Sequence, residues 1–270
     1  MTASIGVFGG SGFYAFLDDV RHVTVETPYG PPSDQIALAR ISGREIAFLP
    51  RHGRAHQIPP HSINYRANIY AMKELGVSRI LAPTAVGSLQ KEIRRGDFVV
   101  VDQFIDRTRG RRDTFFDGPE VAHIAGVEPY CRELRERIIE VGEASRRTDG
   151  DGARIHPAGT VVVINGPRFS TRAESRWFSS FGWDVINMTQ YPEVALAREL
   201  GICYANISLV TDYDAGLAED ADAGAVSIEE VLRVLSDNNE RVKRLLLAVV
   251  ESLPDERGCD CAEQARQARI

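Results

Sequence analysis

Short β-rich apolar runs alternate with longer helical patterns along this chain, and that alternation restricts the fold more than any other feature. It favours an α/β architecture in which helices flank a mixed or largely parallel sheet. The apolar runs predict strands over residues 4–8, 35–39, 45–49, 79–82, 98–101, 160–164, 184–186 and 203–210. Helical patterns cover 61–75, 129–145, 172–180, 191–200 and 227–252. The last of these opens on Ser227 with Glu230 three residues later, the spacing of a capping box. Residues 106–122 are polar, Arg-rich and carry aromatics, so they read as a surface loop or contact surface, and 146–154 (RRTDGDGAR) reads as a flexible connection. There is no internal repeat and no domain boundary. The expectation is one α/β domain over residues 1–253, a central mixed sheet flanked by helices, followed by a charged, frayed tail over 254–270.

Composition narrows the function classes. The 270 residues are ample for one sizeable core. With 32 basic against 38 acidic side chains the net charge is −6, which argues against general nucleic-acid binding. No apolar run approaches the ~20 residues of a membrane span. The opening MTASIGVFGG lacks the basic-then-apolar layout of a secretory signal, so a cytoplasmic protein is expected. The cysteines, Cys131, Cys203, Cys259 and Cys261, form no C-x-x-C pair, so neither a zinc ribbon nor a disulfide framework is expected.

Several strand ends carry chemistry. FGGSGFY (8–14) follows the first strand; its glycines and Ser11 suit an oxyanion cradle or a plain strand-to-turn cluster. It ends in neither a Walker lysine nor the third glycine of a dinucleotide fingerprint. PRHGRAH (50–56) concentrates Arg51, His52 and Arg54, which suits an anion or a solvated basic turn. His52 and His56 stand four apart, but the Gly53 break and the flanking arginines disfavour a metal ion. PTAVGSL (83–89) adds Thr84, Ala85 and Ser88 at a third strand end. Ligands collect at the carboxyl ends of strands in open α/β sheets, so the three segments together suggest one phosphate pocket.

The remaining motifs are INGPRFSTRAES (164–175), DVINMTQYPE (184–193) and TDYD (211–214). Phe169 suits stacking on a flat heterocycle, or core packing. Asp212 and Asp214 close an apolar run, where solvation in a turn, an N-cap or burial are the choices. Burial favours a protonated carboxyl, which donates one hydrogen bond and accepts another. Adenine presents the complement, an accepting N7 beside a donating 6-amino group. A calcium loop beginning at Asp220 fails, because Ala225 and Val231 stand where its glycine and glutamate belong.

Taken in order, GGSG, RHGRAH, NYRANIYA, PTAVGSL, DQFIDRT, GPRFSTRAES, NMTQYPE and TDYD resemble the trimeric purine nucleoside phosphorylases, and within them the 5′-methylthioadenosine phosphorylase branch. The resemblance spans nearly the whole chain. It implies a phosphate site of Ser11, Arg51, His52, Thr84 and Ala85, with Thr189 close by. It also implies Phe169 against purine and ribose, Met188 at the ribose hydroxyls, Asp212 facing purine N7 and Asp214 near the 6-amino group. The 6-oxopurine branch carries Glu at the position of Ser170 and Asn at that of Asp212, so both positions here carry the adenine-type choice. Where that branch resembles HEEVL, this chain reads IEEVL (228–232); Ile228, with Val231 and Leu232, replaces a hydroxyl-binding histidine by a pocket for a methylthio group. His123 matches the residue that a neighbouring subunit supplies, so the resemblance implies homotrimers, or hexamers of paired trimers. Gln190 and Tyr191 depart from the small residue and valine usual after NMT. The implied reaction is phosphorolysis of methylthioadenosine with inorganic phosphate as co-substrate, Asp212 assisting the leaving purine, and neither metal nor nucleotide cofactor.

Overall fold

In the computed structural model, which describes residues 3–9, 20–149, 153–217 and 228–270, the first apolar run becomes β1 (Ile5–Gly9), buried along its whole length. Ile5 and Val7 enter one apolar cluster and Phe8 the other, as the two-residue period of a strand requires. The other strands are β2 (Arg21–Val23), β3 (Ile36–Ile41), β4 (Arg44–Pro50), β5 (Arg79–Ser88), β6 (Phe98–Val99), β7 (Gln103–Arg107), β8 (Ile155–His156), β9 (Thr160–Ile164), β10 (Val185–Asn187) and β11 (Cys203–Tyr213). All belong to one mixed sheet in the order β2-β3-β4-β1-β5-β10-β9-β7, with β11, β6 and β8 branching from β5. The helices are α1 (Tyr65–Glu74), α2 (Arg132–Asp149), α3 (Arg172–Ser180), α4 (Gln190–Glu199), α5 (Ile228–Ser252) and α6 (Cys261–Gln267). None is long and apolar enough to cross a membrane.

Two core layers sandwich the sheet. Ile69 and Met72 of α1 and Val194 and Leu196 of α4 pack on one face, and Leu134 and Ile138 of α2 with Leu245 and Val249 of α5 on the other. Local chemistry starts the helices: the Asn64 side chain accepts from Ala67 N–H at 3.2 Å, and Thr171 and Glu174 close a reciprocal capping box on α3. The capping box expected at Ser227, the calcium-like stretch from Asp220 and the glycine loop with Ser11 lie outside the described residues.

Three expectations need correction. Strand β5 does not stop at Ala82 but continues to Ser88, so PTAVGS lies within the strand and not at its end, held by parallel pairing to β11 from Arg79↔Cys203 to Ser88↔Tyr213. Strand β11 likewise runs on to Tyr213, so the acids lie in and just beyond the strand. Residues 254–270 are no frayed tail: they carry α6, and Cys261 and Ala265 are buried. The segment is tied down where Arg79 donates to the Glu256 carbonyl at 2.8 Å, Arg257 to the Gly201 carbonyl at 2.9 Å, and Ile270 N–H to the Val121 carbonyl at 2.9 Å. The charge pattern concealed this, because these contacts run between segments far apart in sequence.

A register shift between Val210 and Asp212 positions the acids. Up to that point alternate residues of β11 face opposite cores, Tyr204 and Val210 on the α1/α4 side and Cys203, Ile207 and Leu209 on the α2/α5 side. One extra residue inverts the alternation, so Asp212 pairs with Gly87 and, with Asp214, turns to the α5 side. Strand β10 runs antiparallel to β5, pairing Ile186 with Gly87, and this brings the NMT residues back along the strand that carries Thr84 and Ala85.

Candidate active site

The carboxyl ends of β4, β5, β9, β10 and β11 and the first turns of α5 surround a cavity of about 490 Å³. One end is cationic. Arg51 follows β4 directly, and its N–H donates to the Gly9 carbonyl at 3.2 Å, which holds it beside β1. Its side chain is buried and fixed by Glu193, with Nε 2.5 Å from Oε1 and Nη2 3.0 Å from Oε2. Tyr204 donates to the same carboxylate at 2.8 Å. Burial opposes the guanidinium charge, but the Glu193 pair outweighs it and raises the arginine above its ordinary pKa. Nη1 is turned to the Pro83 carbonyl, 3.4 Å away, on the cavity wall.

His52 lines the same end. Its Nδ1 lies 2.9 Å from the Ile58 carbonyl, which can only accept, so Nδ1 carries the proton of the neutral ring. Burial, then the Arg51 charge, push its pKa down to about 4. Thr84 is oriented by a buried chain of hydrogen bonds. Tyr130 donates to Gln190 Oε1 at 2.6 Å, Gln190 Nε2 to Ser208 at 3.3 Å, Ser208 to Asn206 Oδ1 at 2.6 Å, and Asn206 Nδ2 to Thr84 Oγ1 at 3.1 Å. Ala85 and the buried Thr189 also line the cavity.

The other end is acidic. Asp212 and Asp214 are 8% and 2% exposed, low enough to count as buried carboxyls. Thr211 donates to Asp212 Oδ1 at 2.7 Å. Ser170 Oγ is 2.5 Å from both oxygens of Asp214, so one hydroxyl proton bridges the carboxylate. A methyl group on Gly87 would stand 3.0 Å from Asp212 Oδ2 and 3.1 Å from Ile186, so the bare backbone there gives the acid its room. Phe169 and Met188 form the wall between the two ends, and Ile228, Val231 and Leu232 form an apolar rim. Ile228 and Leu232 are half exposed. His123 is not among the cavity residues; it is exposed, and its N–H donates to the Ala268 carbonyl at 2.8 Å.

Sequence reasoning missed several contributors. Asn187 lines the cavity, is buried, and has no hydrogen-bond partner for either carboxamide atom among the described residues. Its place inside NMT was the available signal. Glu193 was visible only as the end of NMTQYPE, and its pairing with Arg51 spans 142 residues. Arg111, from the expected surface loop, instead reaches inward. It donates to the carbonyls of Asn165 at 3.0 Å and Met188 at 2.8 Å and to that of Tyr191, bracing three segments behind the cavity.

The chain is similar to known proteins over nearly its whole length. The family model described as Phosphorylase superfamily matches residues 4–251. An S-methyl-5′-thioadenosine phosphorylase of Thermofilum pendens is 50% identical over 268 residues, covering 98% of each chain. A purine nucleoside phosphorylase of Streptomyces coelicolor is also 50% identical, over 96% of this chain and 93% of that one. Among solved structures, a methylthioadenosine phosphorylase from an Antarctic soil metagenomic library superimposes with a TM-score of 0.91 at 40% identity, covering 100% of this chain and 93% of that one.

Proposed function

The chain belongs to the Phosphorylase superfamily, and from that membership and the cavity we propose that it is an S-methyl-5′-thioadenosine phosphorylase. It converts methylthioadenosine and phosphate to adenine and 5-methylthioribose 1-phosphate. The observation that carries this reading is a single cavity with a buried cationic end, a buried carboxyl end and an apolar rim between α5 and solvent.

Phosphate binds at the cationic end, held by Arg51 Nη1, His52, the Thr84 hydroxyl, Ala85 and Thr189, with Ser11 contributing from the glycine loop. There it is a positioned nucleophile beneath C1′ of the ribose. The purine lies along Phe169 with its N7 edge towards Asp212 and its amino group towards Asp214. Ser170 holds the Asp214 carboxylate in place as an acceptor for that amino group. As the C1′–N9 bond breaks, positive charge gathers on the ribose, where phosphate lies, and negative charge on the purine. The Asp212 proton passes to N7, a phosphate oxygen bonds to C1′, and adenine leaves neutral. The hydrogen bond from Thr211 to Oδ1, 2.7 Å long, helps to orient this carboxyl group. The ribose hydroxyls meet Met188 and the unpartnered carboxamide of Asn187, and the methylthio group meets Ile228, Val231 and Leu232.

The half-exposed Ile228 and Leu232 support a further subunit closing this end of the cavity, with His123 facing a neighbour's cavity in a trimer. Small-molecule nucleoside and phosphate are the proposed partners, and the cytoplasm the proposed compartment. The reaction needs neither metal nor nucleotide cofactor.

A second reading, cleavage of other purine nucleosides, the 6-oxopurine ones included, is suggested by the name of the Streptomyces relative, a purine nucleoside phosphorylase. Release of free base from methylthioadenosine, adenosine, inosine and methylthioinosine, assayed in parallel with and without phosphate, decides between them. Preference for methylthioadenosine, strictly dependent on phosphate, is expected. Preference for a 6-oxo substrate would overturn the assignment of Asp212 and Asp214, and binding without turnover would overturn the enzyme reading.

A further inference from the structure

The four cysteines, separated by up to 130 positions, come together at one point. Cys131 precedes α2, Cys203 opens β11, Cys259 lies in the C-terminal segment and Cys261 opens α6. Their four sulfur atoms all lie within 4.8 Å of one another. Cys131, Cys203 and Cys261 are buried, Cys259 is half-buried, and all four are free thiols. The cluster sits at the start of β11, whereas Asp212 is nine residues further along that strand, about 30 Å away at the usual strand rise. It therefore belongs to no part of the cavity.

We propose that these cysteines form a tetrathiolate site for one zinc ion, which clamps the C-terminal segment to the sheet. A tetrahedron of sulfurs around zinc, with Zn–S near ~2.3 Å, has its sulfurs about 3.8 Å apart. Four sulfurs within 4.8 Å of one another reach that arrangement by sub-ångström shifts of each side chain. Four soft donors in a tetrahedron select zinc over magnesium or calcium, which take oxygen. Such a site is closed, with no open position for substrate, which fits a structural role. Binding exchanges the thiol protons for the metal and leaves the centre with a net negative charge. Arg257 stands ready to offset it: Nη1 lies 3.8 Å from Cys203 Sγ and is held by the Gly201 carbonyl at 2.9 Å. The ligands also come from three places that the tail must bridge, the starts of α2 and β11 and the Cys-Asp-Cys turn before α6. Closing that loop with a metal explains how a charged terminal segment, Pro-Asp-Glu-Arg-Gly, is followed by buried residues.

The test is the metal content and thiol accessibility of the full-length protein purified under reducing conditions without chelator. About one zinc per chain is expected, with all the thiols shielded from a thiol reagent until a strong chelator is added, and protons released when zinc is returned. Replacement by cobalt should give the intense visible bands of a tetrahedral thiolate site. Cys259→Ser and Cys261→Ser should each lose most of the zinc and lower the melting temperature, while phosphorolysis at moderate temperature persists. If either variant fails to fold, zinc release from the unaltered protein by stepwise mercurial titration replaces it, and release only after all the thiols have reacted is expected. Zinc at background level, cobalt spectra without thiolate bands, or an intact mass showing the cysteines joined as disulfides would overturn the proposal. So would zinc retained in a Cys259→Ser/Cys261→Ser double variant.

Discussion

Ser170 Oγ lies 2.5 Å from both carboxylate oxygens of Asp214, so a hydroxyl on the turn before α3 sets the orientation of an acid just beyond β11. Glu at this position, as in the 6-oxopurine branch, would set a second negative charge against Asp214. The serine instead donates to it and preserves an acceptor for an amino group.

Removing the hydroxyl by Ser170→Ala should loosen Asp214 without emptying the cavity. A hydrogen bond to a charged group contributes about 1.5–3 kcal/mol, so KM for methylthioadenosine should rise roughly tenfold or more, with a smaller change in kcat. A variant that loses thermal stability but keeps wild-type KM would show the pair to be structural only.

Asp212→Asn keeps the shape but removes the transferable proton. The kcat for methylthioadenosine should fall on the order of 10²–10⁴-fold, the usual contribution of a general acid. Activity on inosine or methylthioinosine should rise relative to it. Steady-state kinetics on the four nucleosides measure both, and an unchanged kcat would remove Asp212 from the mechanism.

Gly87→Ala tests the register shift itself. Its methyl would crowd Asp212 Oδ2 at 3.0 Å, displacing the acid while leaving the buried strand pairing intact. We expect a folded protein with a melting curve close to the parent's and kcat reduced at least tenfold, since small displacements of reacting groups are costly.

Ile228→His should exchange an apolar contact for a hydroxyl-binding one at the half-exposed rim. The kcat/KM ratio of methylthioadenosine to adenosine should drop about tenfold, the scale set by one apolar group in a pocket. An unchanged ratio would place the methylthio group elsewhere.

His52 predicts a pH dependence. Its pKa is lowered from 6.5 to about 4 by burial and by Arg51, so between those values the unfolded chain binds more protons than the folded one. Stability therefore rises with pH across that window and is lost as pH falls through it, by at most about 3.4 kcal/mol. Urea unfolding between pH 4 and 7 should show this slope, reduced in His52→Asn. Because Nδ1–H is committed to Ile58, Nε2 meets a phosphate oxygen favourably only when protonated or when phosphate itself donates. Phosphate should therefore raise the His52 pKa, and calorimetry in buffers of different ionisation enthalpy should detect proton uptake on phosphate binding near neutral pH.

Much of the molecule was legible along the chain. The runs that became β1, β9 and α3 carry their own boundaries in Gly9, Ile164 and the Thr171/Glu174 box. Arg51, His52, Thr84, Phe169, Asp212 and Asp214 were each noticeable because polar or aromatic residues interrupt apolar stretches at strand ends, whereas Met188 was implied only by the family resemblance. Gln190 and Tyr191, departures from the expected motif, turn out to brace: Gln190 in the chain leading to Thr84, and Tyr191 through Asp113 at 2.7 Å and Arg111. The strand ends of β5 and β11 were read short because Pro83 and Thr84, like Asp212, look like turn residues. Pairing with a long partner overrides such local preference.

By itself the sequence determined the α/β class, one mixed sheet between helices, and which residue types stand at which strand ends, because periodicity and local capping act over a few residues. Tertiary structure decided what those residues do together. The extra residue between Val210 and Asp212 turns both acids to the α5 side. Glu193 reaches across 142 positions to hold Arg51. The C-terminal segment folds back to bring Cys259 and Cys261 against Cys131 and Cys203. Each depends on strand register or on contacts between distant segments, and neither quantity has a local signature from which it could be read.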